Sequence, residues 1–568
     1  MLSQLGYTML SNGQTYQQYS IRAVFKNFPS DAWLMDMYPV QRLLTTDTLP
    51  KLTSDFSGVH LHKMRFSAEL FRDVFGVKQL YYWNQDELLI CSNDLLSVLA
   101  CLPKTPAPNK AVIHKYLELS DTTELIEEDT FFEGIKRVLP GQKVRFSMQG
   151  VEKHFFWKPP ELTQNSEETG NFKTAFINSV QFKLNQNPHV VANLSGGLDS
   201  SSICSVISQK TSANLNGVFF DTGLESASES NYAHAVSVEN DFDLHKVKSN
   251  DDRLNDLRYV TAITGQPERM VVPSAIFLPI FEKAKSLKTP LLFSGHGGDN
   301  IVETGRAWLN QLFKKRNFEK LKVELRKQWE LKSDEEDFEL YFIEQLTPYL
   351  KGNALLKATQ LFFISEVDKS KAIQFLKEKL NAKTDRPPSL LLKTSGDQKV
   401  NELKRLIPKG KTRRILESCL SGLSIQSLET LDAIGAQKQI TSVYPFLSKE
   451  TLLSSASVKD ELNFDDARLR GLLRDAMSGI LPDIIRDRTD KAAFTDYSFE
   501  CFKRLHEQTL TSFANDHQLW SFVDYSSFKS LCEYTFKPEI PLNKKSKAII
   551  QCSRVLYLGI WLNEFYSS

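Results

Sequence analysis

A two-domain α/β chain is predicted here, with a β-rich sandwich leading into a doubly wound parallel sheet that carries many helices. Three features predict it. Up to about residue 160 the apolar segments are short and strand-like, whereas from residue 171 apolar strands alternate with helical patterns, an order that places helices on both faces of a parallel sheet. The length of 568 residues, with 41% hydrophobic and 24% charged side chains, is enough for two domains with ordinary globular cores.

The elements follow in order. Residues 78–83 and 87–91 are strand candidates on either side of a polar turn, and residues 154–157 form a last aromatic strand of the front part. A polar linker over residues 159–170 separates domains predicted at 1–160 and 171–568. Strands are then expected at 190–194, 218–220, 244–247 and 291–293, with helices from near Ser200 to about 209 and near 232–236. Beyond residue 300 the pattern is mainly helical with charged surfaces, without internal repeats.

The most informative stretch is Val190-Val191-Ala192-Asn193-Leu194-Ser195-Gly196-Gly197-Leu198-Asp199-Ser200-Ser201. A buried strand runs through a glycine turn into a helix whose inner face carries Ile203, Val206 and Ile207. Two glycines permit a tight turn and close approach, so backbone N–H groups and the positive helix end can face a pyrophosphate. The serines add hydroxyl donors, and Asp199 offers a carboxylate to Mg²⁺.

Leu291-Leu292-Phe293-Ser294-Gly295-His296-Gly297-Gly298-Asp299 repeats that logic. If both strands are central in one sheet, the two turns are neighbours and Asp199 and Asp299 converge on one Mg²⁺. His296 invites a catalytic role, since an unperturbed imidazole titrates near neutrality, but a structural histidine in a tight turn is the favoured reading. Ser195, Gly196, Gly197, Asp199, Ser200, Ser201, Phe219, Ser294 and Gly295 are the candidate nucleotide contacts.

Other nucleotide motifs fail on inspection. Gly410-Lys411-Thr412 resembles the end of a Walker A loop, but Arg405 stands where the first glycine is needed and no apolar strand precedes it. This triplet is expected to be a solvated turn, and the basic cluster Lys404, Arg405, Lys409, Lys411, Arg413 and Arg414 a solvated surface. No strand-linked GxGxxG is present, which argues against a dinucleotide oxidoreductase.

Composition excludes further classes. The 70 basic and 69 acidic side chains nearly cancel, so no whole-molecule field recruits nucleic acid or an anionic membrane. Seven cysteines without a CxxC pair point to reduced thiols and a cytoplasmic protein. No stretch reaches the roughly 20 apolar residues that span a bilayer, and the N-terminus lacks the pattern of a secretion signal.

Taken together, these motifs resemble the asparagine synthetase superfamily, whose ATP-pyrophosphatase (PP-loop) domain has an SGGLDSS loop and a later SGEGxDE-type loop. The front domain fits that family's amidotransferase-like, N-terminal-nucleophile half. Its stretch from Arg72 to Tyr82 is similar to RDxxGxxPLYY, and residues 132–141 follow FxGIxxVLPG. Tyr444-Pro445-Phe446-Leu447-Ser448 resembles the VPFLD turn. Leu473-Arg474-Asp475 and Leu481-Pro482 lead into Arg488-Thr489-Asp490-Lys491-Ala492-Ala493-Phe494, similar to the segment bearing the synthetase lysine. The resemblance implies Lys491, Asp199 and Asp299 as catalytic residues, ATP as substrate and Mg²⁺ on Asp199 and Asp299.

The departures narrow this expectation. Family glutaminases place the nucleophilic cysteine at position 2, but here position 2 is Leu2 and no cysteine precedes Cys91. An isobutyl group cannot replace a thiol, so glutamine hydrolysis is expected to be absent and the front domain to be a scaffold. The second loop reads His-Gly-Gly-Asp-Asn where asparagine synthetases carry Glu-Gly-x-Asp-Glu, and Thr441 replaces a glutamate that β-lactam synthetases use. With the missing cysteine, the SGHGGD form is similar to lasso-peptide macrolactam synthetases. That resemblance implies adenylation of an Asp or Glu side chain in a cleaved precursor core peptide and ring closure by its N-terminal amine, alongside a leader-binding protein and a protease. The alternatives are a ligase joining a small acid to ammonia or an internal amine, and an inactive peptide-binding scaffold.

Overall fold

A computed structural model describes residues 5–8, 20–23, 55–62, 67–85, 88–147 and 149–567, apart from 163, 165–168, 185–186, 226–227, 251, 271, 332–336, 366, 382–386, 396–400, 466–467, 490–493, 510–511 and 514–515. Leu2 and Lys491 therefore lie outside the described residues.

The front domain is a sandwich of two sheets. Its strands are β1 (Leu5–Thr8), β2 (Ser20–Ala23), β3 (Ser57–His62), β4 (Ser67–Arg72), β5 (Tyr81–Gln85), β6 (Leu88–Ser92), β7 (Ile135–Arg137), β8 (Gln142–Ser147) and β9 (Gly150–Phe155). One sheet has the order β1-β2-β6-β5-β7 and the other β3-β4-β8-β9. Val59, Leu70, Tyr82, Leu89, Cys91 and Val144 pack together within the sandwich, whereas Tyr81 and Ile90, one position on, join the core shared with the second domain. Alternation of this kind puts successive residues on opposite faces, and here both faces are covered.

The second domain is built on β10 (His189–Asn193), β11 (Asn214–Phe220), β12 (Asp243–Val247), β13 (Leu291–Phe293) and β14 (Thr441–Val443), in the order β12-β11-β10-β13-β14. All four pairings are parallel. The order runs outward from β10 in one direction and from β13 in the other, so the gap between their carboxyl ends is the switch point where ligands of such sheets bind. Val191 and Ala192 pair with Leu292 and Phe293, which brings the two glycine loops side by side.

Several element bounds shift: β5 begins at Tyr81 rather than residue 78, β9 runs from Gly150 to Phe155 rather than over 154–157, and β11 begins at Asn214 rather than residue 218. The helix after the first loop spans Leu198–Lys210 with Gly197 as its N-cap, so it starts before Ser200. Lys411 and Thr412 do not form a solvated turn: they open the helix Lys411–Cys419 and are 2% and 3% exposed. Burial of Ile415, Leu416 and Cys419 in the core draws that helix start inward. Lys404, Arg405 and Lys409 are exposed as expected, while Arg414 pairs with Glu303 at 2.9 Å and Asp460 at 2.7 Å.

Helices Arg306–Lys314, Phe318–Glu330, Phe338–Leu346, Ala354–Ser365 and Lys369–Asn381 pack around a separate core that includes Leu312, Leu321, Phe342 and Leu361. The closing helix, Leu542–Tyr566, ties the domains together. Its buried Trp561 donates to the Gly265 carbonyl at 3.0 Å and lies against Phe131 and Phe132 of the front domain. No described helix is long and apolar enough to cross a membrane.

Candidate active site

The first loop is closed by its own hydroxyls. The Ser195 amide donates to Ser200 Oγ at 3.1 Å, and the Gly197 amide donates to Ser195 Oγ at 3.3 Å. Gly196 has φ +82°, and a Cβ there would sit 2.8 Å from the Glu229 carbonyl oxygen, so the position requires glycine twice over.

The second loop nests directly on the first. After β13 the Ser294 amide donates to the Val443 carbonyl at 2.9 Å, extending the pairing with β14. A Cβ on Gly295 would lie 2.9 Å from Asp199 Cβ and 3.0 Å from the Ser200 nitrogen, and one on Gly298 would drive into the Asp199 carboxylate. Gly297, at φ +85°, takes Leu447 against its bare Cα. Leu447 belongs to the Tyr444–Ser448 turn, which is fixed by stacking of Phe446 on Phe176 at 4.4 Å and by Ser179 donating to the Pro445 carbonyl at 2.7 Å.

This nesting brings Asp199 and Asp299 together across one cation. Arg470 Nη1 lies 2.8 Å from Asp199 Oδ2 and 2.8 Å from Asp299 Oδ1, and Nη2 bonds Asp199 Oδ1. Burial opposes the guanidinium charge, but the two carboxylates outweigh it and hold the Arg470 pKa above its ordinary value. His296 is a different case: desolvation lowers its pKa to about 4, although Asp299 acts the other way. The ring is therefore neutral at physiological pH, in contact with Tyr444 and Phe277.

A cavity of about 590 Å³ opens over both loops. Its walls include Ser195, Gly197, Asp199, Ser200, Ser294, Gly295 and Asp299, so seven of the residues predicted from sequence meet there. Gly196 and Ser201 stand behind that surface, Ser201 being fully buried, and Phe219 is 3% exposed in the core rather than at the cavity. Strand β11 directs Phe219 into the layer between sheet and helices, a consequence of alternation that the sequence-stretch alone did not disclose.

Sequence reasoning did not single out Glu229, Phe277, Gln328, Leu331, Arg468 and Arg470, which are also among the residues of the walls. Arg488 and Arg474, seen in sequence only as parts of matched segments, also line them. The density of arginine between 468 and 474 was the one available signal. Arg488 acts as a tether: it donates to the Gly196 carbonyl at 3.1 Å, pairs with Glu229 at 2.6 Å and stacks 3.8 Å over Tyr232. Thr489 and Phe494, on either side of Lys491 in the sequence, both line the cavity.

The donor set suits Mg²⁺. Two carboxylates already share one positive group, and hard oxygen donors are what that ion prefers. Among the described residues no cluster of three or more His, Cys, Asp or Glu side chains forms a metal cage. Mg²⁺ is commonly held by one or two carboxylates together with substrate phosphates, so the pair fits an ion that arrives with a nucleotide.

Comparison with known proteins agrees with this geometry. Residues 1–157 match the glutamine amidotransferase domain and residues 171–562 the asparagine synthase family. The chain is similar to amidase chry2 of Gibberella zeae, 26% identical over 226 residues, covering 36% of this chain and 32% of that protein. It is also similar to the glutamine-hydrolysing asparagine synthetase 1 of Bacillus subtilis, 24% identical over 309 residues, covering 52% of this chain and 47% of the relative. The matched stretches thus span less than half the length of these relatives. Two glycine loops nested at the sheet's switch point, inside a match that runs from residue 171 to 562, make this chain a member of the asparagine synthase family.

Proposed function

We propose that this protein is an ATP-dependent, AMP-forming carbon–nitrogen ligase that closes a lasso-peptide macrolactam. Support for the adenylating half comes from one observation: two carboxylates converge beside a hydroxyl-lined glycine turn at the head of a helix. An Asp or Glu side-chain carboxylate of the peptide attacks the α-phosphorus of ATP, and pyrophosphate leaves. The peptide's N-terminal amine then attacks the acyl carbon, and AMP leaves as the amide forms.

The chain's groups have distinct tasks in the first step. The Ser195 and Ser200 hydroxyls and the positive end of the helix Leu198–Lys210 would face the leaving pyrophosphate, where preorganised donors stabilise charge as it develops. Asp199 and Asp299 would hold Mg²⁺, which supplies charge neutralisation between the acid and the triphosphate. Lys491 is the proposed ammonium beside the reacting phosphate. Removing one preorganised contact of this kind costs about 3 kcal/mol, or roughly a hundredfold in rate. For the second step a prefolded peptide turns ring closure into an oriented attack, worth several kcal/mol.

Leu2 in place of the glutaminase cysteine and the Ser-Gly-His-Gly-Gly-Asp loop support an internal amine over ammonia from glutamine. The first described cysteine, Cys91, is fully buried, and desolvation raises its thiol pKa to about 12, so it offers no thiolate in exchange. A second reading, a small acid joined to ammonia, is favoured by the similarity to the Bacillus subtilis synthetase. In either reading ATP and Mg²⁺ serve the same cytoplasmic ligase site.

Pyrophosphate release separates these readings. Release stimulated only by a ring-forming core peptide supports the macrolactam synthetase; release with free aspartate and ammonium supports the alternative. No release with either class leaves the scaffold reading. Asp199→Ala and Lys491→Ala are each expected to abolish product with the fold retained by circular dichroism, and purified chain is expected to release no glutamate from glutamine.

A further inference from the structure

Four arginines, Arg468, Arg470, Arg474 and Arg488, line one cavity, yet their engagements differ. Arg468 is paired with Asp487 at 2.8 Å, Arg474 Nε donates to the Leu469 carbonyl at 2.9 Å, and Arg488 is held by Glu229 and Gly196. Of these four, Arg470 is the one whose guanidinium bridges the two carboxylates. Asp199 has little freedom to retreat from it, because Gly295 and Gly298 press the second loop against its side chain. The Arg470 backbone is also unusual, with φ +66° at the junction between the hairpin of β15 (Phe464–Asp465) and β16 (Arg468–Leu469) and the helix Gly471–Ala476. A non-glycine residue in that region is strained and persists where its surroundings impose it.

We propose that Arg470 is a built-in competitor for the divalent cation: it occupies the Asp199–Asp299 pair in the nucleotide-free protein and masks the metal site until ATP arrives. The inference rests on the nucleotide reading of this cavity. Two cations cannot both sit between carboxylates that one guanidinium already spans. A free divalent ion must displace Arg470 from both carboxylates, whereas a triphosphate brings acceptor oxygens that match its fork of donors. Metal and nucleotide are thereby made to bind together, and Arg470 becomes a positioning residue for the phosphates.

The test is Mn²⁺ binding to the full chain without nucleotide, followed by electron paramagnetic resonance. Arg470→Gln is expected to bind Mn²⁺ at least tenfold more tightly than wild type and to melt at a lower temperature in the absence of ligand, since the carboxylates then face each other without a counter-ion. Arg470→Lys, which keeps the charge but loses the fork, is expected to fall between the two and serves if the glutamine variant does not fold. Mn²⁺ affinity equal to or weaker than wild type in a folded variant overturns the proposal. Fluorescent ATP binding to wild type separates the two claims: failure to bind ATP removes the ligase reading, while an unmasked Mn²⁺ site in Arg470→Gln still establishes the competition.

Discussion

At the scale of single residues the site is decided by atoms that are missing. Gly298 has no Cβ, and the space one would fill is taken by the Asp199 carboxylate. Gly298→Ala leaves the charge inventory unchanged while forcing Asp199 off its position, and overpacking of this sort costs about 1–3 kcal/mol. The expected outcome is a fall in pyrophosphate release of a hundredfold or more with a modest loss of thermal stability. Turnover within twofold of wild type would show that Asp199 need not stand where the second loop holds it. His296 illustrates the opposite lesson, since a residue type that invites acid–base chemistry is desolvated into a neutral neighbour of Tyr444.

At the scale of elements, much was legible in the sequence, because strands β10 and β13 and the Val218–Phe220 end of β11 are short apolar runs bounded by turns, and such runs are read from composition and spacing. Their loops were legible for the same reason: strand, glycines, carboxylate. Strand β14 was not, as Thr441-Ser442-Val443 carries no pattern of its own and becomes a strand only by pairing with Leu291, Leu292 and Phe293. Arg470 was equally hidden, because its partners open helices far from it in the chain. The helix Lys411–Cys419 shows tertiary burial overriding a local signal. Lys411 sits at its start, where the helix dipole disfavours a cation, and donates to the Val458 carbonyl at 3.1 Å. Burial lowers its pKa to about 8, against the pull of Asp460 and Glu303. Between pH 8 and the ordinary lysine value the unfolded chain binds the extra proton, so stability rises with pH across that window. Urea unfolding should show wild type gaining up to about 3 kcal/mol relative to Lys411→Met from pH 8 to 10.5; parallel curves would mean that the lysine escapes its burial.

At the scale of the molecule, the two domains meet across a buried charge cluster. Glu429, on the helix Gly422–Lys438, pairs with Arg72 at 3.1 Å and Arg137 at 3.3 Å, both from the front domain, and accepts from Gln266 at 3.3 Å. Burial opposes its charge, but Arg137 and Arg72 prevail and keep the carboxyl below its ordinary range. Lys78 and Asp432, at 2.7 Å, extend the contact, and the same apolar core runs through both halves. The front domain thereby covers one flank of the second. Glu429→Gln would leave two arginines without their buried counter-ion, a loss of about 3–5 kcal/mol. Because the native pKa is depressed, the contribution is complete above the unfolded carboxylate range and is lost below it, as pH falls through the native pKa. Thermal melts of the full chain at neutral pH should therefore separate Glu429→Gln clearly from wild type, with the gap closing in acid. If the melts coincide at neutral pH, the front domain is not part of what holds the synthetase together.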